Sequence, residues 1–268
     1  MRKLSDELVK ESYNGVQVLN YKNRPRNIRQ ILQMTAERFP DKHVFECNSD
    51  SRTYAEFLQD VDRLAVAMQK TLGIRKGERV ALLLGNDIVF PLAFFAAARI
   101  GAVSVPINTR FVANEIAFVL NNCSASTVIV HPDYLKDCMR AKRSAPALKN
   151  VIVAGVGKTQ SESLDLSLLM KEAQGVPDEV NVDEDNLACI FYTAGTMGKT
   201  KGALTSHRNI VSNSINVQAV TGFAPDDRQL ICVPFFHPTG CHAQMVAGVY
   251  IGCTMVIQRH FNADETLT

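Results

Sequence analysis

Seven short apolar runs, at residues 80–84, 103–107, 127–130, 151–154, 188–192, 230–234 and 254–258, recur along this chain with helical patterns between most of them. Runs of four or five residues are too short for helices, and their near-continuous apolar character suits strands covered on both faces. Strands that alternate with helices pair in parallel, because each helix carries the chain back across the sheet. The expectation is α/β architecture with largely parallel, doubly covered sheet.

The helices between the runs can be placed at residue level. Asn27 is a plausible N-cap for a helix with Ile28, Ile31, Leu32 and Phe39 on one face, closed by Pro40. Thr53 and Glu56 have the spacing of a capping box for a second helix. Phe57, Val61, Leu64, Ala65, Met68 and Leu72 follow at helical spacing, and Gly73 supplies a stop. These stripes are core positions. Residues 1–26 are polar, lack periodicity and read as an N-terminal arm. Residues 27–154 read as a first α/β subdomain, 155–186 as a linker-like segment, and 187–268 as the start of a second α/β subdomain.

The chemistry concentrates just after the linker-like segment. Residues 192–202 read Tyr-Thr-Ala-Gly-Thr-Met-Gly-Lys-Thr-Lys-Gly. Gly195, Gly198 and Gly202 let backbone N–H groups turn onto an anion, Thr193 and Thr196 add hydroxyl donors, and Lys199 and Lys201 bring positive charge. Such a loop suits the phosphates of a nucleoside triphosphate. It is not a Walker loop, because position 193 is Thr where that pattern needs Gly, and its glycines do not give the dinucleotide fingerprint. The string Gly155-Val-Gly-Lys-Thr159 imitates a Walker ending, but position 152 is Ile and the upstream glycine is missing.

Composition narrows the partners. A formal net charge of +2 gives no basis for nucleic-acid or membrane-surface binding. The seven cysteines are scattered, odd in number and mostly in apolar surroundings, which suits free thiols in a reducing compartment. No Cys-x-x-Cys pair or zinc-like His/Cys spacing occurs. The charged N-terminus lacks the apolar core of a signal peptide. The apolar stretch 88–105 contains Pro91 and Arg99, is broken by Gly101, and falls short of the ~20 apolar residues of a membrane span. It reads as a buried helix running into a strand, and cytoplasmic residence is the expectation.

The loop closely resembles the signature of the adenylate-forming superfamily, acyl-CoA and aryl-CoA synthetases among its members, whose usual string is Thr-Ser-Gly-Thr-Thr-Gly-x-Pro-Lys-Gly. Residues 233–240, Val-Pro-Phe-Phe-His-Pro-Thr-Gly, resemble that family's Pro-Leu-Phe-His-x-x-Gly motif, with His237 the matched histidine. Residues 75–86 and 103–108 resemble its Lys-Gly-Asp-Arg-Val strand and Gly-Ala-Val-x-Val-Pro-Ile-Asn turn, with scaffold roles. The order and spacing hold from about Asn27 onward.

The resemblance implies the N-terminal part of the large domain of an acyl-CoA synthetase-like adenylating enzyme, incomplete here, with mostly parallel sheets covered by helices. It implies ATP, Mg²⁺ and CoA as co-substrates or cofactors, and a small carboxylic acid activated as acyl-AMP. It places Thr193, Gly195, Thr196, Gly198 and Lys201 on the phosphates together with Ala194, Met197, Lys199 and Gly202 of the same loop, Thr196 toward Mg²⁺, and His237 against the acid. Ala194, Met197 and Thr200 depart from the usual Ser, Thr or Ser, and Pro, which predicts weakened triphosphate binding. A lipophilic or aromatic acid is expected from Phe235, Phe236, Met245, Val246, Val249 and Tyr250 around His237.

Family members are about double this chain in length. The Tyr-Gly-x-Thr-Glu segment, the ribose-binding Asp, the hinge and the small C-terminal domain with its catalytic Lys have no counterpart in residues 1–268, so this chain alone is expected to be inactive. Two alternatives stay open: a non-catalytic nucleotide- or acyl-binding protein, and a subunit needing a separately encoded C-terminal half. A homo-oligomer is also open.

Overall fold

The structure, a computed structural model, describes residues 8–13, 15–155, 162–193 and 200–267. An antiparallel hairpin, β1 (Leu8–Tyr13) and β2 (Val16–Tyr21), stands where the polar arm was expected, so its alternation was too weak to read. Helix α1 (Ile28–Arg38) follows, capped by Asn27, whose side chain accepts from the Gln30 N–H at 3.0 Å. Strands β3 (His43–Cys47) and β4 (Asp50–Thr53) then form a second hairpin. Helix α2 (Tyr54–Val66) opens with the expected Thr53/Glu56 capping box, runs on through a π-helical turn, Ala67–Thr71, and ends before Gly73, at φ +66°.

The larger sheet begins at β5 (Arg79–Leu83), followed by α3 (Val89–Arg99), β6 (Val103–Pro106), α4 (Ala113–Asn122), β7 (Thr127–Val130), α5 (Leu135–Lys142), β8 (Asn150–Val153), β9 (Leu164–Asp165) and α6 (Leu166–Glu172). Strands β10 (Leu187–Thr193) and β11 (Lys201–Ser206) and helix α7 (His207–Thr221) come next. The chain then passes through β12 (Arg228–Ile231), a π-helical segment Thr239–Val246, α8 (Ala247–Ile251), β13 (Thr254–Ile257) and α9 (Ala263–Leu267). All seven apolar runs are strands, and the 88–105 stretch is α3 running into β6, with every residue from Phe90 to Arg99 buried.

Seven strands lie in the order β11-β10-β6-β5-β7-β8-β9, all parallel except the edge strand β11. A four-stranded sheet, β12-β13-β3-β4, is parallel apart from the β3–β4 hairpin. Successive residues of the central strands point to opposite cores. Val80, Leu82, Ile129 and Phe191 join α1, α2, α3 and α7 and also reach Phe45 and Met255 of the smaller sheet. Ala81, Leu83, Val128 and Ile190 face α4 and α5. Burial on both faces explains why these strands read as unbroken apolar runs.

Strand pairing crosses the division drawn from composition. β10 and β11 complete the sheet begun by β5 to β8, and β3 and β4 complete the sheet of β12 and β13. The polar segment before β10 is a strap tied to the helical layer: Asn27 Nδ2 donates to the Val182 carbonyl at 2.9 Å, and Lys76 Nζ to that of Asn181 at 2.7 Å. Among the described residues no helix is long and apolar enough to cross a membrane.

Candidate functional site

In parallel sheets ligands gather at the carboxyl ends of the strands, where the connecting turns are free to carry function. The expected site segments leave from such ends. Thr193 is the last residue of β10 and pairs with Lys201, the first of β11, so the antiparallel hairpin anchors both ends of the Gly/Thr/Lys segment expected to bind phosphate. Thr193, Lys201 and Gly202 are exposed. Gly202 lies opposite Tyr192, and a Cβ there would sit 3.1 Å from Ile190 and 3.3 Å from the Tyr192 ring. Tyr192 is held by a 2.6 Å bond to Asn122 and by edge contact with Phe118. Ala194, Gly195, Thr196, Met197, Gly198 and Lys199 lie outside the described residues.

The base of the hairpin is clamped. The Arg208 N–H donates to the Glu184 carbonyl at 2.6 Å and the His207 N–H to that of Asn186 at 3.1 Å. Around these bonds runs an ion network. Arg24, its side chain 1 % exposed, bridges Glu11 at 2.7 Å and Glu184 at 2.8 Å, and Arg208 reaches the same two carboxylates at 2.9 and 2.7 Å. The Arg24 guanidinium holds the Glu11 carboxyl below its ordinary range. The N-terminal hairpin is thereby fastened to both chain segments that flank β10 and β11.

His237 lies after β12 in a turn that closes from the His237 N–H to the Pro234 carbonyl at 3.0 Å. Its ring is exposed, and Nδ1 accepts from the Thr239 N–H at 3.2 Å, which turns Nε2 away from the backbone. Gly240 allows this turn to stay tight, since a Cβ would fall 2.5 Å from the Pro234 carbonyl oxygen. Asn86, at the end of β5, accepts from the Phe235 N–H at 2.9 Å and donates to the Val233 and Gln258 carbonyls at 3.1 and 3.3 Å. Its buried amide therefore ties the two sheets together directly behind His237. From the sequence Asn86 read only as scaffold.

Between the strand ends of the two sheets lies a cleft of about 520 Å³, lined by Asn86, Arg110 and Tyr134 on one side and by Phe236, Arg259 and His260 on the other. Arg110 and Arg259 are its cationic groups, and Arg259 is paired with Asp87. Neither arginine was singled out from sequence, because a lone surface arginine carries no pattern. The β10 strand and the segment after His237 also meet directly, through the Phe191 and His242 rings at 4.8 Å. Among the described residues no group of three or more His, Cys, Asp or Glu could hold a metal ion.

A family model for AMP-binding enzymes matches residues 32–268. The chain belongs to the AMP-binding enzyme family. It is 32% identical over 232 residues to an indoleacetate CoA ligase of Aromatoleum aromaticum, covering 87% of this chain and 43% of that protein. It is 31% identical over 247 residues to the long-chain-fatty-acid CoA ligase FadD13 of Mycobacterium tuberculosis, covering 90% of this chain and 46% of the relative. The chain thus spans about half the length of the curated relatives it matches. Its fold superposes on the inhibitor-bound N-terminal domain of FACL13 from Mycobacterium tuberculosis with a TM-score of 0.82 at 28% identity, over 90% of this chain and 59% of that one. The parallel sheets covered by helices are those of the N-terminal domains of acyl-CoA ligases.

Proposed function

We propose that this AMP-binding family chain is the N-terminal segment of an ATP-dependent acyl- or aryl-CoA synthetase. A carboxylate oxygen attacks the α-phosphorus of ATP, the bond to the bridging oxygen breaks, and acyl-AMP and pyrophosphate form. The CoA thiol then attacks the acyl carbonyl, AMP departs, and the thiol proton is lost. Activation is needed because a carboxylate oxygen is a poor leaving group and AMP a good one. The observation that carries this reading is the β10–β11 hairpin, which holds a Gly/Thr/Lys loop at the carboxyl edge of the parallel sheet in a chain whose relatives are CoA ligases.

In this reading Thr193, Gly195, Thr196, Gly198 and Lys201 hold the β- and γ-phosphates, with Ala194, Met197, Lys199 and Gly202 completing the loop. Thr193 and Lys201, anchored by the hairpin, help offset the charge that develops on pyrophosphate. Bound Mg²⁺ would neutralise phosphate charge beside Thr196. His237 faces the acid, with Phe236 beside it and Phe235 turned into the core against Phe90. The cleft between the sheets, with Arg110 on one wall and the Phe236 ring on the other, suits an anionic, ring-bearing ligand such as a nucleotide. Cytoplasmic residence belongs to the same proposal.

The test is acid-dependent exchange of labelled pyrophosphate into ATP by the full protein, over a panel of aliphatic and aromatic acids. Exchange with at least one acid, followed by CoA-dependent release of AMP, is the expected result. ATP binding without exchange for every acid would refute the synthetase in favour of a nucleotide-binding protein, a reading that the altered positions Ala194, Met197 and Thr200 favour.

A further inference from the structure

The far end of the β10–β11 hairpin has little of the sheet to support it. β11 is the edge strand, and β10 is in register with β6 at Cys189 and Ser104. The ladder between β10 and β11 runs on beyond that point, through Ile190 with Leu204, Phe191 with Ala203 and Tyr192 with Gly202, to Thr193 with Lys201. A two-stranded ribbon is marginally stable by itself in water, so whatever grips its far end decides how firmly the Gly/Thr/Lys segment is aimed.

The grip falls on Tyr192. Its hydroxyl donates to Asn122 Oδ1 at 2.6 Å, across 70 residues of chain. Its ring meets Phe118 edge-on, with centroids 6.4 Å apart and planes at 85°. The ring also lies across Gly202 of the facing strand, where a Cβ would come within 3.3 Å of it. Phe118 and Asn122 stand four residues apart on α4, so one helix face takes hold of both the ring and the hydroxyl of the same tyrosine. Burial pushes that hydroxyl up to about 12, so it stays protonated and able to donate at physiological pH.

We propose that Tyr192 is a positioning residue for the nucleotide: latched to the end of α4, it sets the direction in which the hairpin presents Thr193, Lys201 and the segment between them to the phosphates. This role rests on the reading of residues 193–202 as a phosphate loop, given above. The ion network of Arg24 and Arg208 ties the hairpin at its base, and α4 ties it one residue short of Thr193. A segment held in its binding geometry before the ligand arrives loses less conformational freedom on binding. The latch therefore acts on ATP affinity and leaves the affinity for the acid alone.

The experiment compares the full protein with Tyr192→Phe, Asn122→Leu and the double variant, reading the ATP Kd by calorimetric titration, the acid KM in pyrophosphate exchange, and the urea midpoint. Phenylalanine keeps the ring and its packing and removes only the hydroxyl. Each single variant should raise the ATP Kd by about threefold or more, as the loss of one hydrogen bond would, with the acid KM unchanged. The double variant should bind ATP no worse than the weaker single variant, because both changes break the same bond. An ATP Kd equal to the parent's, with or without a lower urea midpoint, makes Tyr192 a packing residue and overturns the latch, as do effects that multiply in the double variant or an acid KM that rises with the ATP Kd; all of these leave the synthetase standing. Absence of exchange with any acid by a parent that binds ATP overturns the synthetase, while the ATP titrations still decide the latch. A parent that binds no ATP overturns both.

Discussion

Replacing Arg24 by Met should loosen the clamp at the base of the β10–β11 hairpin. The side chain is 1 % exposed, and its guanidinium donates to Glu11, to Glu184 and, at 2.6 Å, to the Tyr21 carbonyl. Methionine fills much of the same space, so the loss is electrostatic more than steric. Removing one partner of a buried ion pair typically costs 3–5 kcal/mol, because the other charge stays buried without compensation. Here Glu11 is 25 % exposed and Arg208 still bonds both carboxylates, which puts the cost near the lower end, about 3 kcal/mol. In urea, with a slope of about 3 kcal/mol per molar for a chain of this size, the midpoint should fall by about 1 M. Glu184→Gln in the Arg24→Met background should recover part of the loss, since it removes a carboxylate left short of cations. A midpoint lowered by less than about 0.3 M, or strictly additive effects in the double-mutant cycle, would show that the network is a solvated surface cluster and refute the reasoning.

Stability should fall as the pH is lowered. Burial pushes His207 down to about 4 and His242 to about 3, whereas an unfolded imidazole titrates near 6.5. Between about pH 6.5 and 4 the unfolded chain therefore takes up protons that the folded chain refuses, costing about 1.4 kcal/mol per pH unit for each histidine. Glu11 and Glu46, held low by Arg24 and Arg228, add a loss of the same sign below the ordinary carboxylate range. Urea midpoints that do not change from pH 7.5 to 5 would contradict this. Gly240→Ala should destabilise by several times the roughly 0.5 kcal/mol that bounds an ordinary surface change, because the obstructing atom is the Pro234 carbonyl oxygen; a melting temperature within a degree of the parent would refute the close approach. Ala194→Ser together with Met197→Thr in the full protein should lower the KM for ATP, by about fivefold or more for two neutral hydrogen bonds, and an unchanged or higher KM would refute the reading of these positions.

Elements whose residues answer to one dominant force were legible in the sequence. The central strands are covered on both faces, so their apolar runs needed no context, and α1 and α2 announce themselves through Asn27 and the Thr53/Glu56 box, which are local hydrogen bonds. The strands that escaped notice are defined by their pairing and by contacts the fold supplies, not by their own composition. β11 has Lys201, Gly202, Ala203 and Leu204 all exposed, and its identity comes from pairing with β10 and not from its own composition. The β1–β2 hairpin is fixed by Arg24 and Arg208, charges that look like any solvated pair until the fold buries them. The same division holds at the site. Lys201 and His237 lie within strings that resemble known motifs, whereas Asn86 matters because of the backbone groups the fold brings to its amide.

The smaller sheet has a temporal consequence. Thr254 donates its hydroxyl proton to the His43 carbonyl, 211 residues earlier, and β13 pairs with β3 across that same gap. At roughly 5–20 residues per second on the ribosome, β3 and β4 wait about 10–40 s for their neighbours to be made. Throughout that interval Val44 and Phe45, both fully buried in the finished fold, stand beside an open strand edge. A nascent chain of this kind is a natural client for chaperones that shield apolar strands, and its yield in the cell should depend on them more than its final stability would suggest.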